Sequence, residues 1–432
     1  MRPFDPLLLF SLPALVLAAR SRTCKPTKSN GSSLVSAAWY AGWHSDDFPL
    51  SSVSWDKYTH MTYSFAETTE DVSTLSLNGS NPDLLPVFVQ TAHENNVKAL
   101  VSIGGWTGSR FYSSAVADSA NRTAFVDTVV QFATQYGLDG LDFDWEYPGN
   151  QGIGCNTISA NDTTNTSGID ICSGQVNPCN FLTFLQLLRQ DPVGRDLILT
   201  SATSIFPWIG PTGDRLTDVS GFADVLDWIA IMNYDLWGSW SASVGPNSPL
   251  NDTCASSANQ QGSAVSGVAA WADAGMPAQQ IVLGVASYGH SFSVTPTDAI
   301  TSDGQIKAYP AFNAAAQPHG DAWDDDASTD VCGVTSGPGG NFDFWGLIDA
   351  GFLLANGTVA PGIDYRFDSC SQTAYVYNET SSVMVSFDDA RAFAAKGAFI
   401  KSNGLRGFAT WEAGGDSKDI LLDAIRSGAG AV

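Results

Sequence analysis

Short apolar runs and stretches of helical period alternate along most of the chain. Ser36–His44 reads as a first buried strand, and Trp55–Tyr58 leads into a second at Thr59–Glu67. Asn81–Asn96 is amphipathic and helical, with Pro82 placed for its first turn. Val97–Gly105 is a third strand, Thr123–Tyr136 a helix, and Gly137 its stop signal. A fourth strand follows at Leu138–Pro148. The rhythm continues with a helix at Asn180–Arg189 and strands at Asp196–Ala202 and Val225–Tyr234. Another helix at Ser263–Ala274 precedes a seventh strand, Ile281–Tyr288. The pattern resumes at Asp388–Asn403 (helix), Gly404–Trp411 (strand) and Ser417–Arg426 (helix). Strand, helix, strand at this spacing means parallel βαβ units. Eight such strands predict an α/β protein, a (β/α)8 TIM barrel rather than an open sheet.

Two stretches break the rhythm. From Phe292 to Val383 the chain is rich in Gly, Asp and Pro, with short aromatic strands at Asn341–Trp345 and Thr373–Tyr377. It reads as a small α+β insertion domain between strands 7 and 8. Gly149–Cys179 is a long polar loop after the fourth strand, and a loop of that length in a compact domain is often functional. The expected organisation is a signal peptide at 1–20, a leader at 21–33, barrel at 34–291, insertion at 292–383 and the last part of the barrel at 384–432.

The fourth strand alternates strictly. Leu141, Phe143 and Trp145 are apolar, whereas Asp142, Asp144 and Glu146 are acidic. Successive strand side chains point to opposite faces, so three carboxylates line one face. One reading is a half-exposed strand with a solvated acidic face. The other is a tuned acid cluster, in which Asp142 and Asp144 raise the pKa of Glu146 or share a proton with it. Glu146 would then stay protonated as a general acid near neutral pH. Pro148 and Gly149 end the strand, placing Glu146 at the C-terminal lip, where catalytic residues of such barrels sit.

Composition narrows the classes. The net charge of −24 argues against nucleic acid or anionic lipid as a partner. Residues 1–20 carry a basic Arg2, an apolar run from Leu7 to Leu17 and small Ala18 and Ala19, the features of a secretory signal. Eight Asn-x-Ser/Thr sequons, at Asn30, Asn78, Asn121, Asn161, Asn165, Asn251, Asn356 and Asn378, fit a secreted glycoprotein. No later run is apolar enough over about 20 residues to span a membrane. The seven cysteines lack metal-type spacing and should mostly pair in an oxidising compartment. The expected pairs are Cys155–Cys254, Cys172–Cys179 and Cys332–Cys370, with Cys24 left over, although spacing leaves the connectivity open. The five histidines show no metal spacing, and no phosphate or dinucleotide loop appears, so no cofactor is expected.

The run Asp139-Gly140-Leu141-Asp142-Phe143-Asp144-Trp145-Glu146 resembles the signature of family 18 glycoside hydrolases, Asp-Gly-x-Asp-x-Asp-x-Glu, at every fixed position. The resemblance implies a chitinase with Glu146, Asp144, Asp142 and Tyr234 as catalytic residues. It implies substrate-binding roles for Tyr40, Ser102, Gly105, Trp106, Met232, Asp235, Tyr288 and Trp411. Ser102, in Ser102-Ile103-Gly104-Gly105, would bond Asp142. Tyr234 would contact the substrate acetamide, Asp235 a sugar hydroxyl, and Trp411 would floor the pocket. Tyr40 matches another pocket aromatic, and Trp43, Trp208, Trp237 and Trp240 are candidate sugar platforms. The insertion would wall the substrate cleft. One departure stands out: many members with an insertion carry Tyr-Gly-Arg after strand seven, and here the run is Tyr288-Gly289-His290.

The resemblance further implies a secreted, monomeric enzyme acting on chitin and chitooligosaccharides. Two alternatives share the fold. An endo-β-N-acetylglucosaminidase would use the same groups on N-glycans, and a chitin-binding lectin would lack the acid.

Overall fold

The computed structural model describes residues 34–150, 152–153, 155, 180–210 and 213–431. The strands in chain order begin with β1 (Val35–Ala41), β2 (His60–Thr68), β3 (Lys98–Gly104), β4 (Gly140–Asp144), β5 (Ile198–Thr203), β6 (Trp228–Ile231) and β7 (Ile281–Ala286). They continue with β8 (Tyr288–Ser293), β9 (Asn341–Asp343), β10 (Asp364–Asp368), β11 (Thr373–Asn378), β12 (Val383–Phe387) and β13 (Gly407–Trp411). Strands β1 to β7 and β13 are parallel neighbours, and β1 pairs with both β2 and β13. The eight-stranded barrel is therefore closed, as the rhythm of the sequence predicts.

Helices follow the apolar period. Helix α1 (Leu85–Glu94) buries Leu85, Phe88, Val89 and Ala92, one stripe of a 3.6-residue repeat. It begins later than expected, and Pro86 rather than Pro82 occupies its first turn. Helix α2 (Ser119–Tyr136) starts where the Asp118 carboxylate accepts from the backbone N–H groups of Ala120 and Asn121 at 2.8 and 2.9 Å. It ends at Gly137, whose φ of 67° is the left-handed cap that glycine adopts at little strain. Helices α3 (Asn180–Gln190), α4 (Ala264–Asp273), α5 (Ala390–Ser402) and α6 (Ile420–Ala429) match the remaining helical stretches.

A second, five-stranded antiparallel sheet has the order β9-β8-β12-β11-β10. The seventh barrel strand stops at Ala286, and after Ser287 the chain enters β8 at Tyr288. Tyr288 and His290 thus belong to the second sheet. The aromatic run after Gly340 is strand only to Asp343, and Phe344–Asp349 is helical.

The disulfides correct the expected pairing. Cys155 bonds Cys332 and Cys254 bonds Cys370, with Cα separations of 5.5 and 5.9 Å. Each bridge ties a loop of the barrel to the segment between β8 and β12, so Cys155–Cys254 and Cys332–Cys370 are not formed. The expectation paired two barrel loops with each other and two cysteines within the insertion, whereas each bridge crosses between the two. Cys24, Cys172 and Cys179 lie outside the described residues, as do the signal and leader segments.

Strand β4 shows why the acidic row is tolerated. Leu141, Phe143 and Trp145 pack outward, Phe143 and Trp145 against Phe181 and Trp145 also against Tyr112. Fully burying each large apolar side chain stabilises by about 1.5–3 kcal/mol. That gain anchors the strand and holds its carboxylates on the barrel interior. All five residues of β4 are buried, which removes the reading of a solvated acidic face.

Candidate active site

Strand register explains the environment of each carboxylate. Asp142 lies level with Ser102 on β3 and Thr200 on β5. Both neighbours carry hydroxyls: Ser102 Oγ donates to Asp142 Oδ2 at 2.9 Å and Thr200 Oγ1 donates to Oδ1 at 2.5 Å. Trp39 Nε1–H donates to Oδ2 from β1 at 3.1 Å. Two residues on, Asp144 lies level with Gly104 and Ala202, which have no polar side chain to offer. Asp144 Oδ1 is buried with no hydrogen-bond partner among the described residues. Gly104 is required here, since its φ is 108° and a Cβ would stand 2.1 Å from the Asp144 carbonyl oxygen.

Glu146 lies just past the end of β4. Ser109 Oγ accepts from the Glu146 N–H at 2.9 Å and donates to the Asp144 carbonyl at 3.1 Å. The Glu146 carbonyl accepts from Gly152 N–H at 2.9 Å. The backbone that carries the acid is thus fixed on both sides.

Titration follows from these surroundings. Burial raises Asp142, while hydrogen bonds from Thr200, Trp39 and Ser102 pull it back down. Burial, then the Glu146 and Asp142 charges, push Asp144 well above the usual carboxylate range. Burial pushes Glu146 up to about 8, with the Asp235 charge adding and a hydrogen bond with Tyr147 opposing. Asp144 and Glu146 interact, so they titrate as a pair that retains a proton at neutral pH. The interaction of Glu146 with Asp144 is as the sequence suggested; the Asp235 charge, from the segment past β6, is a further contribution that the sequence did not single out.

Strand β6 ends at Ile231, and Met232, Tyr234 and Asp235 extend past its lip. Met232, Tyr234 and Tyr288 pack in one cluster with Trp39, and Tyr147 and Trp411 lie against it. Burial, then the Asp144, Asp235 and Glu146 charges, hold the Tyr234 phenol well above its usual range, so it remains a donor. Asp235 Oδ1 accepts from Tyr288 OH at 2.6 Å and lies 2.7 Å from His290 Nε2. His290, in the place of the expected arginine, is therefore paired to Asp235. Trp411 stacks on Phe65 at 5.5 Å between centroids, and Trp43 stacks on the same ring at 5.9 Å. Glu412, next to Trp411, accepts from Ala41 N–H at 3.1 Å and meets His44 Nδ1 at 3.0 Å.

Gly105 has a φ of 74°, and a Cβ there would approach the Phe65 ring to 2.8 Å. Trp106 is exposed, as are Trp43 and Trp240. Three aromatic expectations are corrected. Tyr40 is 1% exposed, donates its hydroxyl to the Phe48 carbonyl at 2.7 Å and packs on Tyr63 and Phe88. Its neighbour Trp39 faces the carboxylates instead. Trp208 packs against Phe222 and Trp271, and Trp237 is buried beside Tyr309, so neither offers a sugar platform. Sequence reading missed Trp39, Phe65, Ser109 and Thr200. The DLILTSA strand next to the acidic one could have flagged Thr200.

Comparison with known proteins places this geometry. Residues 35–416 match the family described as Glycosyl hydrolases family 18. A chitinase-like effector of Moniliophthora roreri is 51% identical over 425 residues, covering 98% of this chain and 99% of that protein. A chitinase-like effector of Moniliophthora perniciosa is 53% identical over 401 residues, covering 92% and 88%. The crystal structure of a chitinase from Rhizomucor miehei is similar with a TM-score of 0.78 at 31% identity, covering 91% of this chain and 99% of that one.

Proposed function

The chain belongs to family 18 of the glycosyl hydrolases, and we propose that it is a secreted, monomeric chitinase. It cleaves β-1,4 bonds between N-acetylglucosamine units of chitin and chitooligosaccharides. The observation that carries this reading is the division of labour along and just past β4: Asp142 held by three donors, Asp144 Oδ1 buried with no partner among the described residues, and Glu146 pushed up to about 8.

Glycosidases commonly set two carboxylates on opposite sides of the scissile bond, and enzymes of this family are substrate-assisted exceptions. The row on β4 suits the exception. Glu146, protonated at neutral pH, gives its proton to the leaving oxygen. The substrate's own 2-acetamido oxygen attacks the anomeric carbon, held close enough to replace a protein nucleophile. Asp144 accepts from the acetamide N–H and stabilises the cationic ring that forms. Asp142, already satisfied, keeps its negative charge beside Asp144. Tyr234 orients the acetamide, and Trp411 supports the distorted sugar. Glu146 then takes a proton from the water that opens the ring, and the anomeric configuration is retained.

Soluble chitin tetramer is the substrate for the test. Hydrolysis should give the β anomer first, read by NMR during the opening minutes. Initial α product, or equal rates on oligomers lacking the N-acetyl group, would contradict the mechanism. A second reading has its own support: two relatives above 50% identity are both named chitinase-like effector. On that reading this chain binds chitooligosaccharides without turning them over. Binding of the tetramer with no products after prolonged incubation would select it. Release of glycans from a high-mannose glycoprotein, with chitin oligomers untouched, would instead indicate an endo-β-N-acetylglucosaminidase.

A further inference from the structure

Asp235 adopts a left-handed backbone conformation, φ 56°, unusual for a residue with a side chain. Its surroundings must therefore hold it there. The group that does so is Asn247, which is 1% exposed. Asn247 Oδ1 accepts the Asp235 backbone N–H at 2.9 Å, and its Nδ2 donates to the Tyr288 carbonyl at 3.0 Å. Its own backbone N–H donates to Ser386 Oγ at 2.9 Å, and its carbonyl accepts from Leu236 N–H at 3.2 Å. One buried side chain thus clamps the turn after β6 to β8, and its backbone reaches β12. Tyr288, held at its carbonyl, presents its hydroxyl to the Asp235 carboxylate.

We propose that Asn247 is a positioning residue of the active site: by fixing the Asp235 backbone against β8 it sets the distance of the Asp235 carboxylate from Glu146. The inference rests on the assignment of Glu146 as the acid, but its test does not need turnover. The Asn247 side chain bonds the Asp235 N–H and the Tyr288 carbonyl, so its influence on Glu146 is assigned to Asp235. The titratable groups that face Asp235 are Glu146 and Tyr147 beyond β4, Tyr234 on its own segment, and Tyr288 and His290 on β8. Of these, Glu146 is the acid whose protonation the Asp235 charge favours.

The chain contains six glutamates, few enough for every side-chain carboxyl to be followed by NMR in protein labelled with [δ-13C]glutamate. Loss of one resonance in Glu146→Gln assigns Glu146. In Asn247→Ala the Glu146 titration midpoint should move down, in the same direction as in Asp235→Asn. In the Asp235→Asn background, Asn247→Ala should add no further shift. An unchanged midpoint in folded Asn247→Ala, or full additivity in the double variant, would overturn the proposal. Should Asn247→Ala fail to fold, Ser386→Ala loosens the same clamp from β12, and a smaller downward shift is expected; no shift there counts against it equally. Absence of chitinase activity in the wild type would sink the assigned reaction without altering this titration, so the two failures are separable.

Discussion

Thr200 Oγ1 donates to Asp142 Oδ1 at 2.5 Å, across the seam between β4 and β5. Ser102 reaches the other oxygen from the opposite neighbour, so the innermost carboxylate is held between hydroxyls of one barrel layer. These bonds favour its charged form and oppose the burial that raises its pKa. Replacing Thr200 with Val keeps the shape and deletes one donor. A hydrogen bond to a charged group contributes about 1.5–3 kcal/mol, so folding stability should fall by that order. With Asp142 less well stabilised as an anion, the proton should shift inward from Asp144, and kcat should drop about tenfold or more, the equivalent of about 1.4 kcal/mol. Urea melts and initial rates on chitin tetramer measure both. Loss of stability with an unchanged kcat would confine Thr200 to the fold.

Glu146→Gln should abolish turnover and preserve binding of the tetramer, measured by calorimetry. The same variant reports on the pKa. Glu146 is raised from 4.5 to about 8 in the folded chain. Between those values the unfolded chain has released the proton and the folded chain retains it, so the native state binds more protons and stability falls as pH rises. Below the unfolded value this penalty vanishes. A tenfold difference in proton affinity between the two states is worth about 1.4 kcal/mol, and the Asp144 interaction makes a few kcal/mol an upper bound. Glu146→Gln should therefore melt higher than wild type at pH 8 and close to it at pH 4. Equal melting differences at both values would place the Glu146 pKa near its ordinary range.

Register on β1 decides which aromatic serves the site. Trp39→Phe removes the N–H that meets Asp142 at 3.1 Å, and kcat should fall by about tenfold if that bond helps hold the carboxylate charged. Tyr40→Phe removes a hydroxyl bonded to the Phe48 carbonyl, and stability should fall by about 1 kcal/mol with kcat unchanged. The reverse outcome, a catalytic loss for Tyr40→Phe alone, would restore Tyr40 to the pocket.

That misplacement shows where sequence reading reaches its limit. The barrel and the acidic row were legible because their patterns are local: apolar periodicity for the helices, strict alternation for β4. Strand β1 is buried on both faces, and alternation then carries no information about which face is inside. Thr200 and Ser109 act through register and chain reversal, which no spacing in one strand encodes. The disulfides failed for the same reason, since each joins loops more than one hundred residues apart in sequence, with separations of 177 and 116. The sequence marked Asp235 as a candidate site residue but not as a charge acting on Glu146, because that depends on where β6 ends.

Lys396 on α5 and Asp388 just before it form an ion pair with both side chains fully buried. Lys396 Nζ also donates to Ser248 Oγ at 2.6 Å, and that hydroxyl donates to the Asn233 carbonyl at 2.5 Å, one residue before Tyr234. Burial pushes Asp388 up to about 6 even with the lysine opposing it. Lys396→Met would strand the carboxyl without its cation and raise it further, so it folds only when protonated. Breaking one side of a buried pair commonly costs about 3–5 kcal/mol, because the remaining charge is uncompensated. The deficit should be small at pH 5, where the carboxyl carries its proton in the folded state, and grow toward pH 8, where folding must hold a proton that the unfolded chain has released. Lys396→Met/Asp388→Asn should recover most of the loss and erase its pH dependence. Urea melts at the two pH values separate the outcomes: a deficit of equal size at both would mean that packing of the lysine stem, not the stranded carboxyl, dominates at this position.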